Sequence, residues 1–338
     1  MAAPHLTFYT ELDKEALQAL FDESLIEDLK SMRAAISLGI LDLSPERAGV
    51  VQQLNQAGIP VVAWLLLPEG SGYWFNLDNA LEAEAFYKAF RVWTDQHKLQ
   101  WKGIGLDIEP DIRVARQWVK NKWRVLPKLL RDVLNFSRLK SARKAYRRLI
   151  ADIHSDGYTV ESYQHFFIED ERRAGSTLIQ RVLGIVDLPV DREVWMLYSS
   201  SLRPNSAGIL WSYAPQAQAI GLGSTGGGVQ SSTDQRALLK WGELARDLRL
   251  AWYWSNELYI FSLEGCVEQG FIERLKTFEW DQPILFPEEM AEKVNAWRGV
   301  LHSILWLSSH FAQLLLGLAG TFFVYRRLRH FILNRRQP

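Results

Sequence analysis

The sequence predicts an α/β fold, a (β/α)8 TIM barrel with a C-terminal transmembrane helix. Three observations carry that expectation. Eight short apolar runs alternate with helix-like segments over the first 280 residues, about the size of a closed eight-unit barrel. No Gly-x-Gly-x-x-Gly follows the first run, which argues against an open dinucleotide-binding sheet. The stretch 300–324 holds no Asp, Glu, Lys or Arg over 25 residues, enough to cross about 30 Å of hydrocarbon.

The apolar runs fall at 6–11, 34–40, 60–66, 103–109, 159–163, 194–198, 219–223 and 258–262. Each has the length of a strand buried on both faces. Helical patterns lie between them, at 14–29, 45–57, 80–97 and 233–248. The barrel is thus expected over 1–280. Residues 281–298, with Pro283 and Pro287, read as a juxtamembrane connector, 299–325 as the membrane helix and 326–338 as a basic tail. Trp297, Trp306 and Tyr325 stand where interfacial aromatics would, and Gly317, Ala319 and Gly320 would allow close helix packing. The start of the chain has no basic, apolar leader. The missing export signal and the arginine-rich tail therefore point to opposite membrane orientations, and the single-pass location is expected with its orientation open.

Composition narrows the classes. Hydrophobic residues at 48% and charged residues at 23% exclude a disordered chain. One cysteine, Cys266, excludes an internal disulfide and a Cys-based zinc site. The seven histidines are scattered, so neither metal nor cofactor is expected. Net charge is zero, yet it is unevenly spread. A basic insert occupies 111–155, and its segment 113–148 carries 13 Lys or Arg against a single acid, Asp132. Trp118, Trp123, Leu126, Leu129, Leu130, Val133, Leu134 and Phe136 interleave with these cations. That pattern suits an anionic membrane surface. Nucleic acid is the competing partner and is not expected; a solvated helix face is the plain alternative.

The chemistry concentrates in Trp101-Lys-Gly-Ile-Gly-Leu-Asp-Ile-Glu-Pro110. Period-two alternation sends Ile104, Leu106 and Ile108 outward and Gly105, Asp107 and Glu109 inward. Both acids reach the carboxyl end of the fourth strand, where barrels keep their active sites. Two like charges so close raise at least one pKa, which general acid catalysis needs. Loop residues Tyr73, Trp74 and Asn76, with Trp64 before them, could stack on and hydrogen-bond a sugar, or serve as ordinary lid residues. Glu11 ends the first strand, Glu161 and Tyr163 the fifth, and Glu264 follows the eighth, adding further carboxylates to the same end.

The segment resembles the fourth-strand signature of family-18 glycoside hydrolases, Asp-x-x-Asp-x-Asp-x-Glu. Lys102 and Gly105 replace the first two acids; Asp107 and Glu109 match the last two. Val194-Trp-Met-Leu-Tyr-Ser199 is similar to the family's Met-x-Tyr-Asp through Met196 and Tyr198, with Ser199 in place of Asp. The resemblance implies Glu109 as general acid/base, Asp107 as its orienting partner, Tyr198 as a stabiliser, and a glycan or glycolipid substrate, N-acetylated if the substrate assists. Two other readings stand beside it. One is a membrane-surface phosphodiester or lipid-headgroup hydrolase using Gly221, Gly223 and Ser224 for phosphate and the carboxylates for a divalent ion. The other is a catalytically silent barrel kept for binding or as a scaffold.

Overall fold

The computed structural model describes residues 3–228 and 238–334. Eight parallel strands close in chain order: β1 (His5–Thr10), β2 (Ala35–Ile40), β3 (Val61–Leu65), β4 (Gly103–Asp107), β5 (Val160–Gln164), β6 (Arg192–Met196), β7 (Ala219–Gly223) and β8 (Glu257–Phe261), which pairs back onto β1. Every apolar run overlaps one strand, and the chain is a (β/α)8 barrel. The sixth strand starts and ends two residues early, which leaves Tyr198 beyond it, in the loop.

Alternation along the strands separates two cores. Ile36, Leu38, Ile104, Leu106 and Ile260 face the helices and build the larger core. Tyr9, Trp64, Tyr163, Val194, Met196 and Tyr259 fill the barrel itself. The interior is therefore packed with side chains rather than hollow.

Local signals explain where helices differ from expectation. The pattern at 14–29 is two helices, Lys14–Leu20 and Glu23–Ser31, because the Asp22 carboxylate accepts from Leu25 N–H at 2.8 Å and caps a new start. Ser44 caps Pro45–Gln56 in the same way. The pattern at 233–248 becomes a helix at Trp241–Trp252; residues 233–237 lie outside the described residues. The basic insert folds as three helices, Ile112–Lys120, Lys122–Asp132 and Phe136–Ser155, with Asn121 and Asn135 as the caps between them.

The transmembrane expectation is corrected. Among the described residues no helix is long and apolar enough to cross a membrane. A single helix, Glu288–Asn334, runs through the expected connector and span, and its first half docks on the barrel. Leu305 is 1% exposed, Ser308 Oγ meets Ser176 Oγ at 3.1 Å, and Ser309 Oγ donates to Ala174 O at 3.2 Å. One face of the helix is thus taken up by protein contact over 305–309, while Val300, Ile304, Trp306 and Leu307 stay exposed. The side chains of Gly317, Ala319 and Gly320 lie outside the described residues.

The helix is fixed by chemistry as well as shape. Gly208 lets Met290 approach so closely that an added Cβ would lie 2.6 Å from it. Arg298 donates to Asp170 Oδ1 at 2.9 Å and to Ser212 O at 2.7 Å, with its guanidinium over the Tyr213 ring. Asp170 is buried, so Arg298→Ala strands a carboxylate in the interior. The expected cost is about 3 kcal/mol, read as a lower denaturant midpoint and as new proteolytic cuts within Glu288–Asn334. Unchanged cutting would show that Arg298 does not hold the helix.

Candidate active site

β4 ends at Asp107, and Glu109 follows after one residue whose backbone pairs with Phe75. The loop after β3 is thereby stitched to the end of β4: Phe75 N–H donates to Asp107 O at 2.8 Å and Glu109 N–H to Phe75 O at 3.2 Å. Both acids stand at the carboxyl mouth, as the alternation predicts.

Their surroundings differ. Asp107 is 3% exposed. Its Oδ2 accepts from Trp64 Nε1 at 3.1 Å, whereas Oδ1 is buried with no protein partner among the described residues. Burial, then Glu109 and Glu11, push its pKa well above the ordinary 3.8. Glu109 is only half-buried, with His165 Nε2 3.8 Å from its Oε2. Desolvation pushes His165 down to about 4, so at neutral pH that approach is a neutral contact. Tyr198 stacks on Phe261 with ring centroids 5.7 Å apart. Burial, then Asp107, Glu109 and Glu11, raise its pKa and keep the phenol protonated.

Two further carboxylates complete the rim. Glu11 accepts from the Tyr73 hydroxyl. Its loop is held by the buried Arg47, which donates to Leu12 O at 3.0 Å and Gly39 O at 2.9 Å. Glu264 has a raised pKa from burial, and its Oε2 is a second buried oxygen without a protein partner among the described residues. No Lys or Arg forms an ion pair with Asp107 or Glu264 among the described residues. Among the described residues the mouth is acidic and aromatic.

Not every expected residue reaches it. Glu161 lies a layer deeper, near the start of β5, where it accepts from Tyr163 at 2.7 Å and Tyr259 at 2.8 Å. Tyr163 spends its hydroxyl on Ser37 and Glu161, so these two residues form the floor. Met196 packs in the same interior cluster. Asn76 is buried in its own loop, its amide bonded to Trp74 O and Asp78 N–H. Trp74 packs edge-on to Tyr73 beside the mouth. The expected phosphate cradle is not formed: Ser224 N–H donates to Ser200 Oγ at 2.7 Å, Gly221 lies against the Tyr198 ring, and Gly223 against Phe261 O. Sequence reasoning missed His165 and Phe261. His165 continues the 161–163 alternation of the fifth strand, and Phe261 lies within the eighth apolar run.

No protein-family model and no curated protein matches the chain. Solved structures of similar fold include a D-allulose 3-epimerase from Methylomonas sp. (TM-score 0.42, 8% identity, covering 88% of this chain and 100% of that one). A D-psicose 3-epimerase from Clostridium cellulolyticum H10 with D-tagatose gives 0.40, 12%, 89% and 99%. An L-ribulose 3-epimerase gives 0.41, 12%, 93% and 98%. At this level the likeness concerns the barrel and not its chemistry.

The resemblance to family-18 glycoside hydrolases is corrected: no protein-family model matches the chain, and the signature's acids are not completed in the structure. The site supplies a physical reason. Where the signature has its middle acid, Gly105 has no room for any side chain: an added Cβ would collide with the Tyr163 ring. The relay of acids behind the catalytic pair cannot be built. The membrane-anchored hydrolase reading falls with it, and so does the phosphodiester alternative that relied on the glycine loop.

The raised Asp107 pKa has a measurable consequence. The folded chain keeps a proton that the unfolded chain, at its ordinary 3.8, releases. This site's stability contribution is whole below about pH 4 and declines as pH climbs toward the raised value. Asp107→Asn cannot titrate, so its Tm relative to the parent is expected to rise steadily from about pH 5 to pH 8. Parallel Tm-against-pH curves would contradict the buried proton.

Proposed function

We propose that the barrel mouth is an acid–base site that moves a proton between carbon and oxygen on a small hydroxylated carbonyl compound, the chemistry of a sugar isomerase or epimerase. The observation that carries this reading is the unequal setting of two neighbouring carboxyls, one buried so that its pKa is pushed up and one only half-buried at the mouth. Environments that push paired acids apart assign acid and base roles.

In this reading Glu109 takes the proton from the carbon beside the carbonyl. Asp107 gives its proton to the carbonyl oxygen, and the product is an enediol. Returning a proton to carbon from the other face inverts the centre, as Asp107 takes back the enediol O–H proton and the carbonyl re-forms; Glu264, whose pKa burial raises, is the candidate donor to carbon. Tyr198 donates to a substrate hydroxyl. Trp64 and Phe261 offer apolar faces to the C–H side of a sugar. The oxygens of Asp107 and Glu264 that have no protein partner among the described residues take up substrate hydroxyls. A sugar-sized molecule is the right scale, because Tyr9, Tyr163 and Tyr259 close the barrel beneath.

The test is proton exchange. Protein in D2O is incubated with D-allulose, D-fructose, D-tagatose and L-ribulose, and with aldoses of the same sizes, and carbon-bound protons are followed by NMR. Protein-dependent loss of a proton next to the carbonyl in at least one sugar is expected. Absence of exchange across the panel, with the protein folded, would reject the reading.

A further inference from the structure

We propose that the basic insert is a docking face for an anionic lipid surface, lying on the rim of the barrel mouth. The helix Ile112–Lys120 follows β4 directly and is strapped to the loop after β3: Arg113 donates to Gly70 O at 2.6 Å, and Arg116 pairs with Glu69 at 2.6 Å. The next helix, Lys122–Asp132, packs on it and on the helix Leu178–Leu183.

Folding sorts the charges of this segment. Asp132, the only acid of 113–148, turns inward and is buried against Lys128 at 2.7 Å and Arg138 at 3.2 Å. Val125 is buried on the same side. The outer side presents Arg124, Pro127 and Arg131 together with Trp123, 71% exposed, and Leu134, 78% exposed. Trp118 and Phe136 extend the exposed apolar set, and Lys120, Lys140 and Lys144 extend the cationic one. Lys120, Arg124, Lys140 and Lys144 make no ion pair among the described residues. The face thus combines positive charge with exposed aromatic and aliphatic side chains, and the acids that border it, Glu69 and Asp78, are paired with Arg116 and Arg138.

Charge complementarity selects an anionic partner, and the apolar residues select which one. Phosphate backbones use cations and stacking rings but give nothing to an exposed leucine. A lipid interface takes both: rings and aliphatics enter the headgroup–acyl boundary while Lys and Arg meet anionic headgroups, each worth about 1 kcal/mol. Docking of this kind is peripheral and needs no span.

The experiment uses the full chain and vesicles of phosphatidylcholine alone or mixed with phosphatidylserine. Co-sedimentation is expected with the mixed vesicles only and should fall as salt rises. Lys120→Glu/Arg124→Glu is expected to weaken it about tenfold or more, and Trp118→Ser/Trp123→Ser to weaken it with the salt dependence kept. These positions are exposed, and unchanged thermal melting confirms that the variants fold. Equal binding to both vesicle types, or binding indifferent to charge reversal, would overturn the proposal and shift the contact to the apolar far half of Glu288–Asn334. Displacement from mixed vesicles by a single-stranded oligonucleotide at lower concentration than a phosphatidylserine competitor would overturn it in favour of nucleic acid.

Discussion

Glu109→Gln is expected to lower the rate of carbon–proton exchange by about 10²–10⁴-fold, the usual contribution of a positioned general base. The amide keeps the shape of the carboxylate but cannot accept a proton. Because Glu109 is half-buried at the mouth and not packed in a core, the variant should melt like the parent. Asp107→Asn removes the acid that faces the same substrate atoms, and the double variant should be no slower than the worse single one, since the two groups act on one step. Tyr198→Phe, which removes a single hydrogen-bond donor, should cost far less. Retention of the parent rate within about threefold in Glu109→Gln would remove this residue from the chemistry.

The second large effect is on stability. Gly105→Ala is expected to destabilise the barrel by about 3 kcal/mol, because the new methyl group must displace the Tyr163 ring. That ring cannot swing aside without loss: its hydroxyl is bonded to Ser37 Oγ at 2.6 Å and to Glu161 at 2.7 Å in the buried interior. Breaking them leaves buried polar atoms unsatisfied. A Tm drop of about 4–10 °C is the expected reading. Tyr163→Phe in the Gly105→Ala background, which removes the clashing hydroxyl, should recover part of the loss. An unchanged Tm in the single variant would mean that the floor yields more easily than its hydrogen bonds suggest.

Much of the fold is legible in the sequence because parallel strands buried on both faces read as uninterrupted apolar runs. Runs such as 35–40 and 61–65 are unmistakable, and parity alone places Asp107 and Glu109 in the mouth. Depth is harder to read. Glu161 and Tyr163 share the inward parity of a rim residue, yet strands in a barrel are staggered, and the stagger sets whether an inward side chain lands at the mouth or in the floor. Asn76 looked like a free amide because its loop partners, Asn79 and Trp74, become neighbours only once the turn is folded. The terminal helix misleads for a different reason. An uncharged stretch is needed for lipid, but it is equally what a helix shows when serines and leucines dock on other helices, as Ser308, Ser309 and Leu305 do.

The pairing of Asp170 with Arg298 has a consequence in time. The partners are 128 residues apart, and at about 5–20 residues per second a ribosome needs roughly 6–26 s to traverse that interval. Throughout it the aspartate has been made and its counter-charge has not. Seating of the segment around Ile168–Arg173 is therefore a late event in biogenesis, completed by a stretch of polypeptide emerging well after the eight strands are available. Nascent chains halted before residue 298 should leave that region open to protease, whereas chains released beyond it should not.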